Sequence, residues 1–209
     1  MTVHGHSRGR AAPRFLSRSR TRSSAAQTQL AARDTESVTV FAGVFAGVRI
    51  LTGFVFLWAF LDKTFGWSYA TPSGKGWIDG GSPTKGFLGA VAVGPLQSTF
   101  HGMAGDVWVD WLFMLGLLAI GIAVTSGVVL RLAAVAGTVM MALMWAGEWP
   151  PAQHLSTGAP SMSSNPVVDY HVVYAAILIA LAVGHAGRVW GLGRRWERMA
   201  FVRDNRWLG

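Results

Sequence analysis

The chain has 209 residues with 51% hydrophobic and only 13% charged side chains, and a mean hydropathy of +0.37. That charge content is too low to coat a water-soluble globule of this length, so the composition excludes an ordinary soluble enzyme and points to a membrane protein. The net charge of +8 does not indicate nucleic-acid binding, because seven arginines lie before residue 38 and six from Arg188 onward, as expected of segments flanking membrane spans.

Residues 1–37 are rich in Arg, Ser and Ala and contain no acid before Asp34, which leaves nothing to build a core from. The composition suits a disordered basic cytoplasmic tail and also an organelle transit peptide. No short apolar stretch with a small-residue cleavage site precedes residue 38, so a secretory signal is not expected.

Four apolar segments follow, at 38–61, 107–126, 128–147 and 167–187, each close to the roughly 20 residues needed to cross about 30 Å of hydrocarbon. The second and third are separated by little more than Gly127 and form a tight hairpin. The run 86–100, "GFLGAVAVGPLQSTF", is too short to span and is broken by Pro95, which predicts a re-entrant or interfacial outer segment. The expected fold is therefore all-α: an integral membrane four-helix bundle over 38–188, between the N-terminal tail and a basic cytoplasmic C-terminal tail at 189–209. The tails and the neighbourhood of Arg131 carry most of the cations, the first long loop has only Lys63, Lys75 and Lys85 spread along it and the loop 149–166 has none, which places both termini in the cytoplasm and both long loops outside. An inner-membrane, multi-pass protein is the expected outcome.

With that topology the ionisable residues converge. Asp62 and Lys63 end the first span, Asp110 opens the second, Glu148 closes the third, and Asp169 and His171 begin the fourth, all on the outer rim. Charge near hydrocarbon is expensive and usually faces partners. Arg49 lies deeper, and at 100° per residue it shares a stripe about 40° wide with Phe56 and Lys63 while Asp62 points elsewhere. Its expected partners are carbonyls or a carboxylate on another helix, or an anionic ligand. The same rotation puts Asp169 and His171 about 200° apart, so only one of them, His171, is expected to face inward. Gly43 and Gly47 form a G-x-x-x-G step that admits a close helix neighbour.

"RILTGFVFLWAFLDKTF" (49–65) resembles the first-helix motif of DoxX-like membrane proteins. "SPTKGFLGAVAVGP" and "NPVVDYHVVYAAILIALA" are similar to the outer-loop and last-helix segments of the DoxD-like branch, the membrane subunit of quinone-linked thiosulfate oxidoreductases. The resemblance covers about residues 41–188. It implies a four-helix bundle with Arg49, Lys63, Asp169 and His171 at motif positions. It also implies a quinone cofactor, a small oxyanion substrate such as thiosulfate and a second redox subunit.

On that reading Arg49 and Lys63 form one cationic wall for the substrate, with 86–100 as lid. Asp169 and His171 are the catalytic proton-handling pair. Trp58 and Trp145 hold the quinone, in a slot that Trp111, Met141 and Met144 also suit; the same aromatic and methionine residues suit ordinary helix packing. No metal site is expected, since His101, His154 and His171 show no ligand spacing on one helix, and no haem signature is present. The absence of cysteine removes thiol chemistry. The competing class is a non-enzymatic membrane scaffold or assembly factor for a soluble redox partner. Lipid is the certain neighbour in either case, a homo-oligomer is compatible with both, and no nucleic acid is expected.

Overall fold

The computed structural model describes residues 1–2, 15–148, 158–160 and 165–208. Residues 3–14 of the expected tail, and Trp149 and His154 of the second long loop, lie outside them. The chain divides into two compact units, Met1–Phe41 and Ala42–Gly209. In the first, helix α1 (Phe15–Phe65) already begins, well before the expected span. The Ala-, Arg- and Gln-rich composition there favours helix locally even though it supplies no core.

The described residues are helical, without a long strand. After α1 come α2 (Lys85–Gly89) and α3 (Gln97–Met103), then α4 (Val107–Ser126), α5 (Leu130–Gly147) and α6 (Tyr170–Val183), and two short helices, α7 (Gly193–Trp196) and α8 (Ala200–Asp204). Among the described residues three helical segments are long and apolar enough to cross a membrane: Thr35–Phe65, Val107–Ser126 and Leu130–Gly147. Helix α6 is apolar but shorter, at 14 residues, and starts at Tyr170 because Asp169 caps it.

In the second unit α1, α4, α5 and α6 meet in one core of Phe56, Met114, Ile120, Val124, Met141 and Leu178, with small residues such as Ala133 and Ala134 letting the backbones close in. Neighbouring helices run antiparallel. A Cβ added at Gly121 of α4 would stand 2.7 Å from Leu57 Cγ of α1, and one at Gly53 would stand 2.5 Å from the backbone N of Thr125. Phe56 packs edge-on to Tyr174 of α6, and Trp145 of α5 donates to the carbonyl of Val167 before α6. Gly53 and Gly121 thus mark a close approach of α1 and α4, whereas a Cβ at Gly43 meets nothing nearer than Trp190 at 3.9 Å and one at Gly47 meets nothing within 4 Å.

Two ends result. At one, α4 turns into α5 through Gly127, which takes a left-handed φ of 77° to close the turn. At the other lie the C-terminus of α1 and the N-terminus of α4, the C-terminus of α5 and the N-terminus of α6. The segment 86–100 belongs to this second end, divided between α2, α3 and the chain joining them, and its Leu88, Val91 and Phe100 form a separate apolar cluster with Val109 of α4. The chain after α6 is not a trailing tail: its short helices bury Ala186 and Val202, and Trp196 Nε1 donates to the carbonyl of Leu208.

Candidate functional site

Arg49 is fully buried, and its guanidinium is aimed at the α4–α5 turn. Nη1 donates to the carbonyls of Val124 (2.9 Å) and Thr125 (2.6 Å), and Nη2 to that of Trp190 (2.8 Å). Val124 and Thr125 lie in the last turn of α4, whose carbonyls lack α-helical donors, so the arginine caps a helix terminus from a neighbouring helix and ties it to the chain at Trp190. The expectation that Arg49 is matched by polar groups of another element holds. The expectation that it forms one wall with Lys63 does not. Lying on one stripe fixes direction around the helix but not depth, and 14 residues at ~1.5 Å each place the two side chains about 21 Å apart along α1.

Lys63, half-buried, lines a cavity of about 460 Å³ at the loop end. Its walls are apolar: Phe87 and Leu88 from α2, Phe100 and Met103 from α3, Leu112, Phe113 and Ile120 from α4, and Val139, Met140 and Met144 from α5. The expected lid residues therefore do border a cavity that holds Lys63. Lys63, which makes no hydrogen bond or ion pair among the described residues, and Thr84 are the polar residues lining an otherwise greasy cleft.

The rim carboxylates divide into two groups. Asp62, buried, accepts from the backbone N–H groups of Tyr69, Ala70 and Thr71 (3.3, 3.0 and 2.9 Å). Asp110, also buried, accepts from Ser82 Oγ (2.9 Å), from the backbone N of Thr84 (3.0 Å) and from Thr84 Oγ1. Both staple loops to helix ends. Glu148, Asp169 and His171 instead gather, with one ligand-capable atom of each lying within 4.8 Å of the other two. Asp169 Oδ1 accepts from the backbone N of Val172, its Oδ2 lies 2.8 Å from His171 Nδ1, and Tyr170 donates to Glu148 Oε1 at 3.1 Å.

The contact between Asp169 and His171 corrects the expectation that they point apart. Asp169 is not a helical residue: as N-cap its backbone is extended, at φ −115° and ψ −171°, so helical rotation does not apply to it. His171 does face inward, being 1% exposed. A carboxylate on Nδ1 sets the proton there and leaves Nε2 as the bare nitrogen. Nε2 is buried with no partner among the described residues, a state that costs about 1–3 kcal/mol unless something binds it. Chemically the pair can take up or release a proton, and the donor set of Glu148, Asp169 and His171 is the one among the described residues suited to a cation.

Trp58 and Trp145 are not brought together and neither lines the cavity. Trp58 sits in an aromatic group with Phe54, Trp67 and Tyr69 at centroid distances of 5.9, 5.4 and 5.0 Å, while Trp145 ties α5 to the start of α6. Of the other slot residues, Met144 lines the cavity, Met141 is core, and Trp111 packs edge-on to Trp77. Sequence reasoning included Phe87 only within the lid segment 86–100 and overlooked Phe113 and Met140, whose only signal was an apolar run that reads equally as lipid-facing. It also gave no role to Tyr170, which looks like an interfacial aromatic. Comparison with known families, with curated proteins and with solved structures gives no match, so the likeness to DoxX-type proteins rests on the motifs quoted above.

Proposed function

We propose that the protein is a four-span subunit of the inner membrane, both termini cytoplasmic, that binds an isoprenoid quinone in the cavity beside Lys63 and exchanges electrons with a second redox subunit. The observation that carries the reading is the cavity itself: about 460 Å³, walled by apolar side chains and lined also by Lys63, which has no hydrogen-bond or ion-pair partner among the described residues. That volume falls among ligand sites, roughly 300–1,000 Å³, and the pairing of greasy walls with a single polar anchor suits a ring carbonyl followed by a hydrocarbon tail. Helix α6 serves as the fourth span, its 14 residues extended by flanking chain, and 86–100 as an interfacial cover over the quinone.

Reduction of the quinone to quinol consumes two electrons and two protons. The His171–Asp169 pair handles protons in this reading. The electrons come from the partner subunit, and a small sulfur oxyanion is the donor class implied by the motif resemblance: two thiosulfates joined through a new S–S bond release two electrons. Arg49 takes no part in binding that donor, because it is fully buried at the opposite end of the helices with Nη1 and Nη2 held by three carbonyls. Lys63 is left as the cation for the quinone head.

The test is quinone content and thiosulfate-dependent quinone reduction in protein purified from its native membrane with its partners. Ala136→Phe, which fills the cavity from an exposed position of α5, should remove bound quinone, and Lys63→Gln should lower its occupancy about tenfold, the loss of one charge-assisted hydrogen bond. Native protein free of quinone, or quinone content unmoved by both substitutions, would favour the scaffold reading.

A further inference from the structure

The chain beyond α6 forms a folded cap on the α4–α5 turn. The backbone N of Leu192 donates to the carbonyl of Ser126 at 2.8 Å, and Trp190 offers its carbonyl to Arg49. Gly187 lies against Gly127 so closely that a Cβ on either would collide with the other's backbone. These contacts fix the depth of the cap. The turn joins two helices long and apolar enough to span, so it and everything bonded to it stand at the level of the lipid headgroups.

What the cap displays is unusual for a surface facing water alone. Trp190, Met199, Phe201 and Trp207 are exposed although Val202 and Gly193 beside them are buried. Interleaved with them are four exposed arginines, Arg194, Arg195, Arg198 and Arg203. Their acidic neighbours do not cancel them: Glu197 is taken by Arg188 at 2.9 Å, which leaves Asp204. Aromatic rings beside guanidinium groups at headgroup depth suit a surface that is greasy at one level and phosphate-rich at the next. A guanidinium also matches phosphate oxygens with two parallel hydrogen bonds, which an ammonium cannot do.

We propose that this cap, residues 188–207, is a docking surface for anionic phospholipid headgroups of the adjoining leaflet. The aromatic side chains enter the interface and the arginines hold the phosphates. The proposal does not depend on what fills the cavity at the opposite end of the helices.

The experiment is native mass spectrometry of the full-length chain in detergent with phosphatidylglycerol or phosphatidylcholine of matched acyl chains. The wild type should retain phosphatidylglycerol preferentially, and the preference should fall as salt is added. Each arginine near an anionic surface contributes about fivefold, so Arg194→Gln, Arg195→Gln and Arg198→Gln together should cut the preference on the order of a hundredfold. The three side chains are exposed, and an unchanged elution volume checks the fold. Equal retention of the two lipids, a salt-independent preference, or an unchanged preference in a folded triple variant would overturn the proposal. So would loss of the preference to inorganic phosphate at matched concentration, which would mark a simple anion site instead of a lipid surface.

Discussion

The two ends of the helices bury charge with opposite polarity. At the turn end a buried arginine donates into carbonyls of the α4 terminus and of the cap. At the loop end buried aspartates accept from backbone amides, Asp62 from three and Asp110 from one plus two hydroxyls. Each polarity follows from what the local chain leaves unpaired: a helix C-terminus leaves carbonyls and a loop leaves N–H groups. The difference lies in what remains after this pairing. The turn end is closed, with glycine backbones in contact and only Arg49 Nε and Thr125 Oγ1 left without partners against packed chain, whereas the loop end keeps a cavity together with Lys63 and His171 Nε2, neither of which has a partner among the described residues. One end therefore reads as the fastening and the other as the place where chemistry can happen.

Removing the fastening should have the largest effect. Arg49→Leu removes three buried charge-assisted hydrogen bonds to carbonyls and should cost on the order of 3–5 kcal/mol, seen as loss of the monodisperse species in detergent and a large fall in unfolding temperature. Arg49→Lys should recover only part of it, since one ammonium cannot reproduce the two-pronged contact. A variant Arg49→Leu of native stability would break the comparison. Gly127→Ala comes next: a left-handed φ and a Cβ 2.5 Å from Arg49 Nη1 should together cost about 2–3 kcal/mol by the same thermal measurement.

At the loop end the effects should be smaller and local. Asp62→Asn keeps the shape but weakens the acceptor of three amides, at about 1–2 kcal/mol, and should show as faster amide exchange over 69–71 with α4 and α5 unaffected. Asp169→Ala removes a helix cap and the partner of His171, costing about 1 kcal/mol of stability while reducing turnover in any quinone assay far more than that figure implies. Equal falls in stability and turnover would remove His171 and Asp169 from the proton-handling role.

Much of this was legible from residue order. A low charge content and four apolar runs are properties of the chain; three of the runs are helices long enough to span, and the fourth forms the shorter α6. The tight hairpin at Gly127 and the inward face of His171 follow from local rules of turn chemistry and helical period. The polar match to Arg49 was required by cost alone, since an unpaired guanidinium inside a span is too expensive to persist.

Other features depended on the third dimension. The sharing of a stripe by Arg49 and Lys63 says nothing of which neighbours meet them at two different depths. The Asp169–His171 contact needed the exact residue at which α6 begins, because one step outside the helix replaces a 100° rotation by an extended backbone. The exchange of Trp58 and Trp145 for Phe87, Phe113 and Met140 as cavity walls was decided by which faces of α4 and α5 remain uncovered after the core closes. Sequence determined the solvent, the helices and the need for each buried charge to find a partner, because composition and period act locally. Packing alone decided which partner, because carbonyls and amides distant in sequence, such as those of Thr125 and Trp190, become neighbours of Arg49 only when the helices have met.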